Sequence, residues 1–347
     1  MTSLFIKNLY TNCKMHGTGD AQVMLTNQEL YALIVIAIND LGWLDEKLHT
    51  KPIQLPYDNY YAIPLEWFEN ININVNVTDI LETLESAKNK EEDFILYIEN
   101  LSALHRRRVK YRRILSTQPM PTMDQIGPRV LLEFGTCDSN LLANWMTWRK
   151  WIFDIDNRAG QETGYVFEPI IASCLGGESV GAANSPVKRV DSDGIQKTNG
   201  RQIDCYVPSS NIAYEIKLRV TIAASGQGRF GEELSFPSEC QVAGIKPVLL
   251  VLDPTPSTRL DELSKKFIDS EGEFYQGEDA WSLMEEKAGE VVSVFIEKYI
   301  RPAISEIENV QHVTLEEVTL TWEEGEIVIS GAGATYLIKR AVQNIAD

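Results

Sequence analysis

Residues 201–219 read RQIDCYVPSSNIAYEIKLR, and no other stretch constrains the fold as tightly. Two strand-like runs, Ile203–Val207 and Ile212–Leu218, flank a Pro-Ser-Ser-Asn turn, the punctuation of a hairpin. Side chains alternate faces along a strand, so Ile212, Tyr214, Ile216 and Leu218 point one way while Ala213, Glu215, Lys217 and Arg219 point the other. The same parity sends Ile203, Cys205 and Val207 to the apolar side and Asp204 and Tyr206 to the opposite one. Pairing across the hairpin then sets Asp204 against Glu215, close enough to share a divalent cation, with the Lys217 ammonium beside them. Two neighbouring carboxylates repel unless a proton or a metal ion intervenes. A solvated strand face is the plain alternative, because Glu-x-Lys alone is a weak motif.

The surroundings decide how much weight the cluster deserves. Upstream, the run Gly164–Ala172 reads as part of a helix whose apolar residues pack inward, with Glu168 as the polar intruder that such a helix can aim at the hairpin. Leu141–Phe153 carries Leu142, Trp145, Met146, Trp148 and Trp151, aromatics read as core rather than as a base-stacking surface. Between helix and hairpin lie a glycine-rich segment and Asp191 and Asp193, which either close a turn or enter the site. Downstream, Lys246–Asp253 is a buried-strand run ended by Pro254, expected beside the hairpin in a central sheet. Thr221–Gly244 crowds Gln227, Arg229, Glu232 and Glu233 into the segment after the hairpin; glutamine and arginine make bidentate contacts to base edges, although small-residue segments also simply connect.

In the amino-terminal third, apolar positions from Leu30 to Leu41 recur at three and four, and Thr26 with Glu29 makes a capping box, predicting a helix from Thr26 to about Leu48 with one buried stripe. Lys51–Trp67 reads as an irregular packed loop. A second helix is expected from Thr78 as N-cap to about Ile114, with a break near Asn89. Its end carries six cations within positions 106–113, among them Arg106, Arg107 and Arg108. These suit DNA phosphates, and they equally suit a helix C-terminus. Ser116–Pro128, with three prolines, divides a mainly helical region, 1–118, open to DNA contact or dimerisation, from a second region, 119–347. Near the carboxy terminus a helix is expected over Asp279–Ile300 and strands over Val318–Trp322 and Glu326–Ser330.

Composition excludes several classes. With 347 residues, 44% hydrophobic and 24% charged, the chain reads as a soluble globular protein. No apolar run reaches eighteen residues, so a cytoplasmic protein without a membrane partner is expected. The five cysteines and four histidines are scattered and form no metal-ligand spacing, which predicts buried free thiols and packed or surface histidines. No P-loop or dinucleotide fingerprint is present. The net charge of −18 opposes indiscriminate binding of a polyanion but permits a local cationic cleft.

Helix-borne Glu168, hairpin Asp204 and then Glu215-Ile216-Lys217, eleven positions on, resemble the PD-(D/E)xK nuclease superfamily, in particular type II restriction endonucleases. Ser225–Phe230, SGQGRF, is further similar to the ApaLI-like restriction enzymes. One departure is that Ile203 stands where the motif's name has proline. The resemblance covers about Gly164–Pro254. It implies an α/β fold with a mixed central β-sheet flanked by helices, to which the periodicity read above adds a mainly helical amino-terminal region outside that core. It also implies Mg²⁺-dependent, sequence-specific hydrolysis of double-stranded DNA to 5′-phosphate and 3′-hydroxyl ends. Asp204, Glu215 and the Ile216 carbonyl would bind the ion, Glu168 a second ion or a water, and Lys217 would orient that water or stabilise the pentacoordinate state. Arg219, Gln227, Arg229 and Arg106–Arg108 are the expected DNA contacts, and a palindromic target implies a homodimer. A structure-specific repair nuclease of the same superfamily and a non-catalytic acidic scaffold are the rival expectations.

Overall fold

A computed structural model describes residues 3–15, 22–44, 48, 51–190, 196–218, 227–310 and 315–341. Asp191, Asp193, Arg219 and Ser225–Gly226 lie outside the described residues, as do His16, His49 and His312.

The amino-terminal region is helical: α1 (Leu4–Lys14), α2 (Asn27–Asp40), α3 (Leu65–Asn70), α4 (Val77–Lys90) and α5 (Phe94–Thr117). Thr26 and Glu29 close their capping box as the spacing predicts, Thr26 Oγ1 accepting from the Glu29 N–H at 3.1 Å and Glu29 Oε2 from the Thr26 N–H at 2.6 Å. The helix ends eight residues earlier than expected and is buried all round from Glu29 to Ile38, because α1, α3, α4 and α5 surround it. It is the centre of the region, not a one-striped cover. The N-cap of α4 is Asn76 rather than Thr78, since Asn76 and Asp79 bond each other's backbone reciprocally. The expected break falls at Glu91–Asp93.

After a short α6 (Met123–Ile126), one helix, α7 (Ser139–Cys174), replaces the two pieces that the sequence suggests. It runs through Gly160, Gly164 and Pro169, because its last turns, with Val166, Ile170, Ile171 and Cys174, are buried in the main core and packing overrides the weak local propensity. The chain leaves α7 at Gly177, where a Cβ would stand 2.6 Å from Cys205 Sγ and 2.7 Å from the Tyr206 carbonyl oxygen. Only glycine lets the helix end lie that close to the sheet.

The central sheet has five strands, β1 (Glu178–Val180), β4 (Ile203–Val207), β5 (Ile212–Lys217), β6 (Lys246–Val251) and β7 (Glu273–Gln276), in the order β1-β4-β5-β6-β7. A small ribbon of β2 (Lys188–Val190) and β3 (Gln196–Gly200) lies apart from it. The β1, β4 and β5 strands are antiparallel, whereas β5, β6 and β7 are parallel and joined through α8 (Gln227–Val242) and α9 (Thr258–Asp269). This is the expected mixed sheet flanked by helices, with Lys246–Val251 beside the hairpin. Two buried clusters cover its faces: one joins α2, α4, α5 and α7 to Cys205, Val207, Tyr214 and Ile216, the other joins α8 and α9 to Ile203, Ala213, Leu249 and Val251.

The expected helix over Asp279–Ile300 is divided into α10 (Glu278–Lys287), α11 (Glu290–Phe295) and a π turn (Ile296–Ile300), followed by α12 (Arg301–Glu308). The expected carboxy-terminal strands, β8 (Thr319–Glu323) and β9 (Glu326–Gly331), gain a third, β10 (Ala334–Lys339), and this sheet packs on Leu115, Trp151 and Ile155. No described helix is long and apolar enough to cross a membrane.

Candidate active site

The hairpin register pairs Cys205 with Tyr214, Tyr206 with Ala213 and Val207 with Ile212. Continued by one residue, it sets Asp204 opposite Glu215, as strand parity predicts. The paired ladder stops there, and Asp204 Oδ2 accepts a hydrogen bond from the Ile216 N–H at 2.9 Å. The acidic side chain thus satisfies a backbone donor that β4 no longer reaches. On the far edge of β5 the Lys217 carbonyl accepts from the Leu252 N–H at 2.9 Å. Carbonyls alternate sides along a strand, so that of Ile216 is turned toward β4 and Asp204.

Parity fails at one position. Between β1 and β4 the partners run from Glu178–Tyr206 to Val180–Ile203, so β4 spends one residue more than β1. Such a bulge inverts facing. Ile203 accordingly packs with Val187, Ala213 and Phe236, not with Cys205 and Val207 as the alternation suggests.

Lys217 Nζ lies 2.7 Å from Glu215 Oε1 and 3.0 Å from Glu233 Oε1, Glu233 being carried by α8. All three side chains are mostly buried, at 15–18% exposure, so their mutual attraction is weakly screened. Burial works against the charged ammonium, but the carboxylates of Glu215 and Glu233 outweigh it, and the Lys217 pKa is raised above its ordinary value. Asp204 is pushed well above the usual carboxylate range by burial and then by the Glu215 charge, against the opposing Ile216 N–H and Lys217. Glu168, half-buried on α7, is raised by burial and by Glu215, with Lys217 opposing. Helix α7, the hairpin and α8 therefore bring Glu168, Asp204, Glu215 and Glu233 into one electrostatic neighbourhood around a single lysine.

Asp204 and Glu168 have folded pKa values above their ordinary 3.8 and 4.5, so the stability tied to their protonation is fully present below those values and is lost as pH rises through the folded values. Asn at 204 keeps an oxygen for the Ile216 N–H and cannot ionise. Asp204→Asn is therefore expected to raise the Tm of the metal-free protein at neutral pH by about 2 °C, and to flatten the decline of stability with pH; thermal melts across pH check it.

The donor set consists of hard oxygens, which suit Mg²⁺, Ca²⁺ or Mn²⁺ rather than a soft-ligand metal. Among the described residues no three acidic, cysteine or histidine side chains already converge at ligating distance. Burial, with the Glu215 charge added to it, disfavours the ionised forms of Asp204 and Glu168, and a divalent cation offsets both effects, so the residues fit such an ion.

The expected DNA contacts have different surroundings. Gln227 and Arg229 belong to the first turn of α8. Arg106, Arg107 and Arg108 of α5 are turned to intramolecular partners. Arg106 donates to the carbonyls of Asn12 and Cys13, Arg107 to Glu162, and the Arg108 guanidinium stands 4.8 Å from the centre of the Tyr60 ring and 5.1 Å from that of Tyr61. A cavity of about 570 Å³ has Arg106, Arg107 and Lys110 on its wall but none of Glu168, Asp204, Glu215 or Lys217.

His105 is packed as expected, its Nδ1 2.9 Å from the Tyr60 hydroxyl, and burial together with Arg108 and Arg106 lowers its pKa to about 3. Four cysteines are buried free thiols, whereas Cys137 is exposed. Trp145, read as core, is 54% exposed, because α7 buries Leu142, Met146 and Trp151 instead.

Glu233 escapes a reading based on strand motifs. Its signal lies in α8 itself, where it shares the three-and-four spacing of buried Phe236 and Cys240, a carboxylate on an apolar stripe.

The family model of the ApaLI-like restriction endonucleases matches residues 49–301, a range that contains all of these acidic residues and Lys217. The chain is 39% identical to the type II restriction enzyme ApaLI of Acetobacter pasteurianus over 341 residues, which cover 93% of this chain and 90% of that protein. No solved structure matches the chain.

Proposed function

The chain belongs to the ApaLI-like restriction endonuclease family, and on that premise we propose that it cuts double-stranded DNA at a specific sequence, at a Mg²⁺-dependent site formed by Asp204, Glu215 and Lys217. The observation that carries this reading is the juxtaposition at the open end of the hairpin: Asp204 on the Ile216 N–H, Glu215 on the Lys217 ammonium, and Glu168 within electrostatic reach of both.

Asp204, Glu215 and the Ile216 carbonyl would hold the ion, and Glu168 a second ion or a water. The ion, when bound, stabilises charge on the phosphate oxygens and lowers the pKa of water. Lys217 donates toward the attacking water or toward the oxygens of the pentacoordinate phosphorus, where charge develops. The water oxygen bonds to phosphorus and releases a proton to solvent, the bond to the 3′-oxygen breaks, and that oxygen takes up a proton from solvent. A 5′-phosphate and a 3′-hydroxyl result.

A two-fold homodimer would give each strand of a palindromic target its own site. Residues 119–347 are proposed as the nuclease core and 1–118 as a helical region that buttresses it, acting on DNA in the cytoplasm. Arg219, Gln227 and Arg229, next in sequence to the site, are the proposed base and phosphate contacts. Arg106, Arg107 and Arg108 are better explained as internal ties. Replacing all three with alanine is expected to cost about 2–4 kcal/mol of stability and to leave the salt dependence of DNA binding unchanged; a flatter salt slope would return them to phosphate contact.

Digestion of a sequenced plasmid with Mg²⁺, with and without EDTA, tests the function. Discrete fragments with 5′-phosphate ends that disappear with EDTA are expected. An intact plasmid, or a smear without fixed ends, would contradict sequence-specific cleavage.

A further inference from the structure

Glu233 occupies a position where a carboxylate is costly. Its neighbours on the α8 stripe, Phe236 and Cys240, are buried with Ile203, Ala213 and Leu249. A charge there needs a partner, and Glu233 has one for only half of its carboxylate. Oε1 accepts from Lys217 Nζ at 3.0 Å, while Oε2 is buried and has no hydrogen-bond partner among the described residues.

The turns around Glu233 are firmly held. The Arg201 guanidinium donates to the Glu232 carbonyl, pairs with Glu239 at 3.4 Å and stands 6.0 Å from the Phe236 ring centre. Arg189 donates to Glu232 at 2.9 Å, and Glu239 Oε1 accepts from the Val190 N–H at 3.1 Å. These contacts fix α8 against β2 and the link between β3 and β4 on both sides of Glu233 in sequence, so its carboxylate is presented to Lys217 from a rigid frame.

An ammonium has three donors. Two of those on Lys217 go to Glu215 and Glu233, which leaves one for the substrate. Glu215 has two duties in the proposed site, toward Lys217 and toward the cation, whereas Glu233 serves Lys217 alone. A lysine on a flexible four-carbon stem does not stay in place by itself. We propose that Glu233 is a positioning residue, which keeps the Lys217 ammonium aimed at the reacting phosphate while Glu215 is engaged with the divalent ion. The inference rests on the proposed role of Glu215.

Glu233→Gln, of nearly the same size but uncharged, and Glu233→Asp, charged but one methylene shorter, test it. Glu233→Gln is expected to lower the single-turnover rate on plasmid DNA about 10²-fold, with KM changed less than about twofold, and Glu233→Asp to recover part of the rate. A rate within about twofold of wild type, or a fall in Tm with Asp no better than Gln, would overturn the proposal.

A second readout needs no cleavage. In ¹⁵N spectra of the lysine ammonium groups, the Lys217 signal is expected to remain slow-exchanging when Ca²⁺ is added to the wild-type protein and to be lost when Ca²⁺ is added to Glu233→Gln. Equal behaviour of the two proteins would overturn the role of Glu233. A wild-type protein that cuts no DNA would instead sink the nuclease reading, and the two failures are distinguishable.

Discussion

Lys217→Ala is expected to reduce DNA cleavage by at least about 10³-fold and to destabilise the metal-free protein by about 3 kcal/mol. Both effects come from one atom. Nζ lies 2.7 Å from Glu215 and 3.0 Å from Glu233, and its charge also offsets Asp204 and Glu168. Without it, four carboxylates face one another with no cation among them, and the transition state loses a donor. The two effects separate in a double variant. Glu233→Gln added to Lys217→Ala removes one of the stranded charges, so stability recovers in part while cleavage does not. Thermal melts and single-turnover assays on the three proteins check this; undiminished cleavage by folded Lys217→Ala would remove the lysine from the chemistry.

Glu215→Ala is expected to lose cleavage to a similar extent, at least about 10³-fold, and to weaken Ca²⁺ binding at least about 10-fold. Its effect on stability should be small, within about 1 kcal/mol, because two consequences oppose each other. Lys217 loses one partner but keeps Glu233, and Asp204 and Glu168 keep the burial that raises their pKa values but lose the Glu215 charge that adds to it. By linkage, the decline of stability with rising pH becomes shallower in this variant. Calcium titration calorimetry together with melts at several pH values measures both arms. Unchanged Ca²⁺ affinity would place the ion elsewhere.

Much of the site's layout is legible in the sequence because strand geometry is nearly deterministic. Alternation within Ile212–Lys217 and a four-residue turn suffice to bring Asp204 opposite Glu215, and the apolar run Lys246–Val251 identifies the neighbouring strand. Ile203 is misread because the bulge depends on pairing with β1, three residues whose sequence, Glu-Ser-Val, carries no strand signal. Helix α7 is read as two pieces because glycines and Pro169 look like breaks locally, while the burial that sustains the helix comes from residues distant in the chain. The arginines of α5 illustrate the same limit. Their partners, Asn12, Glu162 and Tyr60, lie roughly 50 to 90 positions away, beyond the reach of local pattern rules. Glu233 falls between the cases, since the helical stripe containing it is visible and its partner is not.

Plasmid cleavage by Asp204→Asn, measured beside its Tm at neutral pH, is the most direct test that the carboxylate cluster is an active site rather than a structural one. Asparagine preserves the hydrogen bond to Ile216 and removes only the charge. The expected result is a protein more stable than wild type that cuts no DNA in Mg²⁺, because a site that keeps like charges together gains stability when one is removed. Cleavage at the wild-type rate, or lost cleavage accompanied by a lower Tm, would contradict it.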